Sequence, residues 1–275
     1  MPLSTSFPLC SVVMPLFNAE DYLVASVKSV QAQSFSDWEL LLVDDASTDA
    51  SAQLAKQLAA SDSRIRVFSL AHNSGAARAR NLALEEARGR FIAFLDSDDL
   101  WHPAKLERQL GWMQAQQLPF TFTAYEKINE QGEHLGWMGV PTRVSYSQLL
   151  KCCVIGCLTA VYDRQRLGQV LMPDLRTRQD FALWLQLLKK TPAAYGLNQP
   201  LARYRVRSTS LSANKLQAAR QTWHLYRQVE KLDWLPSSYY FTHYALRGLL
   251  RLKAPRLAEK LGVLQPVSHS ADATQ

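Results

Sequence analysis

The stretch FIAFLDSDDLWHP, residues 91 to 103, passes directly from a run of five apolar residues to three carboxylates, Asp96, Asp98 and Asp99. A run that is apolar at every position, not at alternate ones, suits a strand buried on both faces, the situation of a parallel sheet covered by helices. The acids then fall just past the strand's carboxyl end. Like charges this close repel unless a cation sits among them, and the nature of that cation bears on what the protein does.

Toward the N-terminus the same rhythm occurs three more times. CSVVMP (10–15) precedes AEDYLVASVKSVQAQ, WELLLVDD (38–45) precedes DASAQLAKQLAA, and RIRVFSL (64–70) precedes GAARARNLALEEARG; PAKLERQLGWMQ then follows the acidic stretch. Strands alternating with helices predict a doubly wound, Rossmann-like α/β fold, its mainly parallel sheet covered on both faces. Leu23, Val27 and Val30 make an i, i+4, i+7 stripe, Asn18 with Asp21 predicts a capping box, and Gly89 predicts the C-cap of the third helix. In such sheets ligands bind beyond the strands' carboxyl ends, which is where Pro15 to Glu20, Asp44-Asp45 and Asp96 to Asp99 fall.

After position 118 the rhythm changes. FTFTAYEKI, CCVIGCLTAVYD and YGLNQPLARYRVRS read as added strands around the helix RQDFALWLQLLKK, whose Phe181, Trp184, Leu185 and Leu188 form a buried face. From residue 214 the sequence is amphipathic helix rich in Trp, Tyr and Arg. The expected organisation is a catalytic unit over 1–213, a basic aromatic helical extension over 214–265 and a disordered tail over 266–275.

With 275 residues, 47% hydrophobic and 20% charged, the composition excludes collagen-like and largely disordered classes. The opening MPLSTSFPLCSVVMP has no basic region ahead of its apolar part, and nowhere is there an uncharged apolar run of roughly 18 residues. A cytosolic chain without a membrane span is expected. Cys152, Cys153 and Cys157 in CCVIGC lack the spacing of a zinc site, so these and Cys10 read as reduced core thiols. The net charge of +7 is uneven, since residues 214–260 alone carry nine Lys and Arg against three Asp and Glu.

Two carboxylates at i and i+2 past a strand, Asp96 and Asp98 about Ser97, suit a hard divalent cation, Mn²⁺ or Mg²⁺, whose remaining ligands are phosphate oxygens. The same DSDD also suits a turn and a helix N-cap. Asp45 in LLLVDDASTD suits a base N–H or a ribose hydroxyl, and equally a cap together with Ser47 and Thr48. There is no GxGxxG and no GxxxxGK[ST], so phosphate must be held by the metal and by Arg78 or Arg80, unless those arginines lie on a solvated face beside Glu85 and Glu86.

Taken in order, VVMPLFNAEDYLVASVKSVQAQSFSDWELLLVDDASTDAS, NSGAARARNLALEEARGRFIAFLDSDDLWHPAKL and LRTRQDFALWLQLLKK resemble the inverting nucleotide-sugar glycosyltransferases of family 2, with the GT-A fold. The resemblance spans roughly residues 9–212. AYGLNQPLARYRV is similar to the non-processive enzymes of bacterial surface polysaccharides, such as teichuronic acid and O-antigen transferases. It implies that Pro15, Leu16, Phe17 and Glu20 line a nucleotide pocket, that Asp45 reads uracil, that Asp96 and Ser97 lie near the ribose, and that Asp98 ligates a metal on the donor diphosphate with Arg80 nearby. It also makes Asp180 the catalytic base, a role that displacement with inversion requires of some residue; the alternative is an acid that merely favours a helix dipole. Where many members carry a histidine after the last strand, this chain reads YRVRSTS, with Arg207 placed to meet the diphosphate.

The expected donor is a UDP-sugar and the expected acceptor a lipid-linked glycan; a catalytically inactive nucleotide-sugar binder is the alternative. Trp223, Tyr226, Tyr239, Tyr240 and Phe241 with the basic residues of the extension fit an interfacial helix pair on the inner membrane face, or else packing on the catalytic unit or a second subunit in a homo-oligomer. Nucleic acid is not an expected partner, because the charge is modest and no nucleic-acid motif appears.

Overall fold

The structure is a computed structural model and describes residues 7–207 and 215–267. The four apolar runs become β1 (Cys10–Leu16), β2 (Trp38–Asp44), β3 (Ile65–Ser69) and β4 (Phe91–Phe94), joined by α1 (Glu20–Gln31), α2 (Ser51–Ser61) and α3 (Ala76–Glu86). They pair in parallel in the order β3-β2-β1-β4, with Val12 in register with Leu40 on one side and Ala93 on the other. Every residue of β1, β2 and β4 is buried. Alternate residues enter opposite cores. Val13, Leu41 and Phe94 join the layer containing α3, whereas Val12, Leu40 and Ala93 join the layer containing α1.

The second half completes the ten-stranded sheet. After β5 (Leu100–Trp101) and α4 (Lys105–Ala115) come β6 (Phe120–Ile128), β7 (His134–Met138), β8 (Arg143–Val144), α5 (Tyr146–Lys151), β9 (Val161–Asp163), α6 (Arg164–Leu167), α7 (Gln179–Leu188) and β10 (Ala194–Arg205). The order continues β4-β9-β6-β10-β5, with β9 antiparallel to both its neighbours and β6 parallel to β10; β7 pairs with β6 and β8 with β10. The expected face of α7 is buried, and Trp184 meets Phe94 edge-on with centroids 5.3 Å apart and Phe120 at 5.4 Å. All four cysteines are free thiols, and Cys10, Cys152 and Cys157 are buried.

Three local expectations are corrected. Asn18 does not cap α1: it sits at φ 45°, and its Oδ1 accepts from the Thr48 N–H at 2.8 Å, joining the β1 and β2 loops. Gly89 does not cap α3, which ends at Glu86 with extended Ala87 as its cap. Gly89 is instead needed for close approach, because a Cβ there would lie 2.6 Å from the Ser11 nitrogen. The acids of residues 96–99 do not cap α4 either, since its N-cap is Ala104 and β5 intervenes.

The extension comprises α8 (Lys215–His224), a π turn (Leu225–Val229), α9 (Trp234–Lys253) and α10 (Pro255–Lys260). The expected headgroup position of Tyr226 is overturned: it is fully buried, and its hydroxyl donates to the Leu150 carbonyl. Tyr240 and Phe241 pack on the same core, and Trp223 packs on Trp234 and Phe241. The expected boundary at 213/214 lies outside the described residues, as do 268–275 of the expected tail; Val267 packs against the core, and the carbonyl of exposed Pro266 accepts from Asn198 Nδ2 at 2.8 Å.

Candidate active site

Each of the three acids past β4 faces an arginine brought from a distant part of the chain. Arg80 of α3 pairs with Asp96, Arg207 Nη1 lies 3.3 Å from Asp98 Oδ2, and the Arg205 backbone N–H donates to Asp99 Oδ1 at 2.8 Å. The Arg205 guanidinium continues to the Asp98 carbonyl at 2.8 Å and to the carbonyls of Asn129 and Glu130. Arg205 and Arg207 both lie over the ring of Tyr22, at 4.8 and 5.1 Å. Arg80 is only 5% exposed, so the solvated-face alternative is wrong for it, while Arg78 does lie on the surface with Asp174.

These cations do not cancel the negative charge. Burial and then Asp96 push Asp98 above the usual carboxylate range against the pull of Arg207. Burial, then Asp98 and Asp96, push Asp99 well above it. Burial works against charge on Arg80, yet Asp96 more than restores it and keeps the guanidinium protonated. A divalent cation would relieve the repulsion that raises Asp98, and the Arg207 contact, at 3.3 Å between half-buried groups, is loose enough to yield. Among the described residues no group of three or more His, Cys, Asp or Glu is arranged to hold a metal ion. Asp98 and Asp96 could offer oxygens to an ion whose other ligands arrive with a phosphate-bearing substrate.

The remaining residues divide by place. Pro15 and Leu16 are buried at the end of β1, with Phe17 46% exposed beyond them. The Asp45 N–H donates to the Leu16 carbonyl at 2.8 Å, which brings the ends of β1 and β2 together. The Asp45 carboxylate accepts from the Ser74 and Gly75 N–H groups at 2.6 and 2.7 Å, so it organises the turn into α3 instead of capping α2 with Ser47 and Thr48. Gly75 makes that turn at φ 91°, a backbone state natural to glycine. The Glu20 carboxylate accepts from the Ala50 N–H at 2.8 Å, fastening α1 to α2. Ser97 is buried, its carbonyl accepting from Ser26 Oγ at 2.8 Å.

Asp180 occupies the first turn of α7, where the helix dipole favours an anion. Before it, Arg178 is held in the left-handed region at φ 65° and donates to the Tyr244 hydroxyl at 2.8 Å, so α9 helps to fix the start of α7. Asp180 and Asp96 line a common cavity of about 640 Å³ with Asp99, Cys153 and Cys157, and also a smaller one of about 210 Å³ with Arg80, Thr177 and Gln179. Arg80 Nε and Nη1, Thr177 Oγ1 and Gln179 Oε1 are buried there without hydrogen-bond partners. Unpaired polar atoms of this kind are costly unless a polar ligand meets them.

Sequence reasoning missed Arg205, Thr177, Gln179 and Arg178. YRVR offered one signal, since residues two apart on a strand share a face and Arg207 was already of interest. Nothing local marks Thr177 or Gln179, because their burial depends on α3 and the extension.

The sequence profile described as Glycosyl transferase family 2 matches residues 11–158. TuaG of Bacillus subtilis, named for teichuronic acid biosynthesis, is 47% identical over 239 residues, covering 86% of this chain and 95% of that protein. WfgD of Escherichia coli, a UDP-Glc:alpha-D-GlcNAc-diphosphoundecaprenol beta-1,3-glucosyltransferase, is 39% identical over 242 residues, covering 88% and 94%. Among solved structures, the mannosyltransferase PcManGT from Pyrobaculum calidifontis, in complex with GDP-Man and Mn2+, superposes with a TM-score of 0.65 at 16% identity, covering 94% of this chain and 81% of that one.

Proposed function

Because the chain belongs to glycosyltransferase family 2 and is a glycosyltransferase of GT-A fold, we propose that it inverts the anomeric centre of a UDP-sugar while passing the sugar to a hydroxyl of a lipid-linked surface-polysaccharide precursor. The observation that carries this reading is the shared cavity of Asp96, Asp99 and Asp180: acids past β4 and an acid heading α7 face one space large enough for a sugar.

In the proposed reaction the acceptor oxygen attacks C1 of the donor sugar and the bond from C1 to the UDP oxygen breaks. Asp180 takes the acceptor proton, which places it opposite the leaving diphosphate. A divalent cation held by Asp98 beside Asp96 would supply charge stabilisation to that diphosphate. Arg80 holds Asp96 in place through their ion pair, and Arg207 moves from Asp98 toward the phosphates as they arrive. Pro15, Leu16, Phe17 and Asp45 form the base and ribose side. The names of TuaG and WfgD support a surface-polysaccharide role, and that of WfgD supports the UDP donor and the undecaprenyl diphosphate acceptor.

We also propose peripheral contact with the inner membrane face. Leu235, Tyr239, Leu246 and Leu249 are each more than half exposed and fall in one stripe of α9, with Lys253, Arg256 and Lys260 following. No helix among the described residues is long and apolar enough to cross a membrane.

The test is transfer from radiolabelled UDP-glucose and UDP-GlcNAc to a synthetic GlcNAc diphosphate bearing an alkyl chain, with Mn²⁺ or chelator, followed by NMR of the product. A β-linked product that requires metal supports the reading. An α-linked product, or transfer undiminished in Asp180→Asn, defeats the proposed mechanism, and UDP binding without transfer from any nucleotide-sugar favours the inactive binder.

A further inference from the structure

The 640 Å³ cavity is lined by cations as well as by acids. Besides Asp96, Asp99 and Asp180 its wall holds Lys127, Arg178, Arg247, Arg251 and residues 262–265, with Arg178 two residues from Asp180 and beside it again in the smaller cavity. Tyr244, Arg247 and Arg251 follow one another at i, i+3 and i+7 on α9, so one face of the helix turns these groups inward, while the Leu235–Tyr239–Leu246–Leu249 stripe lies on the opposite face. Tyr244 carries Arg178, and Arg251 Nη2 donates to the Val263 carbonyl at 2.9 Å, so two of the cations are held in position.

Among the described residues, none of these four cations forms an ion pair with a carboxylate, whereas Arg64, Arg66, Arg80, Arg90, Arg203 and Arg207 each do. Burial and then the Arg251 charge lower the pKa of Lys127, as expected where cations are gathered without a counter-charge. Partly buried like charges are costly to hold together, and an anionic ligand relieves that cost.

We propose that Arg247 and Arg251 of α9, with Lys127 and Arg178, form a binding site for the phosphate groups of the acceptor. Guanidinium pairs suit phosphate because each presents a planar fork of donors. The inference rests on the acceptor reading above and deepens it. The acceptor's diphosphate lies against Arg247 and Arg251 of α9, its sugar hydroxyl reaches past Arg178 to Asp180, and its lipid leaves past α9. The extension is thereby part of the acceptor site and supplies half of its charge.

The experiment is calorimetric titration of the full chain, saturated with UDP and Mn²⁺, with two soluble probes: a GlcNAc diphosphate ester of a short alkyl alcohol, and the same alkyl GlcNAc glycoside without phosphate. Wild type, Arg247→Gln and Arg251→Lys are compared, with UDP affinity and thermal unfolding as controls of fold. The expected result is that the diphosphate probe binds at least tenfold more tightly than the glycoside, and that Arg247→Gln removes roughly tenfold of this preference. Arg251→Lys, which keeps the charge and loses the fork, removes a smaller part.

Equal affinity for the two probes, or a preference unchanged in Arg247→Gln, overturns the inference. A third arm measures co-sedimentation with phosphatidylglycerol vesicles. If Arg247→Gln weakens vesicle binding and leaves probe binding intact, the cations serve lipid headgroups and the inference is overturned. Because binding is read without turnover, a chain that transfers no sugar yet discriminates the probes would sink the proposed activity and leave the phosphate site standing.

Discussion

Arg207 Nη1 lies 3.3 Å from Asp98 Oδ2, so the carboxylate best suited to a metal already faces a cation of the chain itself. On the proposed reading a metal would have to displace it. Arg207→Gln is therefore expected to lower, several-fold, the Mn²⁺ concentration needed for half-maximal UDP binding, and to weaken UDP binding at saturating metal. Calorimetry at graded Mn²⁺ measures both; an unchanged or higher metal requirement would show that Arg207 does not compete for Asp98.

Asp180→Asn keeps the shape of the α7 N-terminus and removes the basic oxygen. General base catalysis is worth about 10²- to 10⁴-fold, so turnover should fall by at least that factor. UDP affinity should stay within about twofold, since Asp180 is proposed to touch the acceptor and not the nucleotide. A loss of UDP binding equal to the loss of rate would reassign Asp180 to the donor side.

The Arg80–Asp96 pair should break asymmetrically. Arg80 is 5% exposed and Asp96 32%, so Asp96→Asn leaves a buried guanidinium without its carboxylate, whereas Arg80→Met leaves a carboxylate that water can reach. The first substitution should cost on the order of 3 kcal/mol and the second markedly less. Urea unfolding of the two variants checks the order, and the reverse order would mean that Arg80 is held by other contacts.

Lys105 is fully buried, with Nζ donating to Gln109 Oε1 at 2.6 Å, and burial pushes its pKa down from 10.5 to about 7. Above the unfolded value the amine is neutral in both states and costs nothing. As pH falls from 10.5 toward 7 only the unfolded chain takes up the proton, so the folded state loses stability relative to it; below 7 the penalty is constant. Cys10 beside it, pushed up to about 12 by burial, stays neutral throughout. The stability of Lys105→Met relative to wild type should therefore rise as pH is lowered from about 9.5 to about 7, on top of a fixed cost for stranding Gln109. A pH-independent difference would mean that Lys105 is charged in the folded protein.

Replacing Leu246 and Leu249 by Ser removes apolar area from an exposed stripe without touching the core. Thermal stability should be unchanged, and binding to anionic vesicles should fall about tenfold or more, as the loss of two buried leucines in an interface implies. Equal vesicle binding would remove this face of α9 from the proposed membrane contact.

The apolar runs 10–15, 38–45, 64–70 and 90–96 were enough to specify β1 to β4 and their parallel pairing, because a strand buried on both faces cannot alternate and a helix between strands enforces a crossover. The same runs placed Asp45 and Asp96 to Asp99 at strand ends, since that depends only on where each apolar run stops. Asp180 was singled out through the match of a long block, and the structure places it on the cavity wall.

What the acids actually face was decided by tertiary structure alone. Arg80 comes from α3, the helix that leads into β4, whereas Arg205 and Arg207 come from β10 and the chain just beyond it, and the pairing of β10 with β5 brings these two to the acidic turn. Asn18 and Gly89 carried sound local signals for caps, yet long-range contacts with Thr48 and Ser11 won, each satisfying a backbone N–H across the fold. Tyr226 reads as an interfacial aromatic in one dimension and is a core residue in three. The periodicity of α9 reveals that it has two faces, but which of them meets the cavity is set by the packing of α5 and of residues 262–267 against it, a relation between segments that no local pattern encodes.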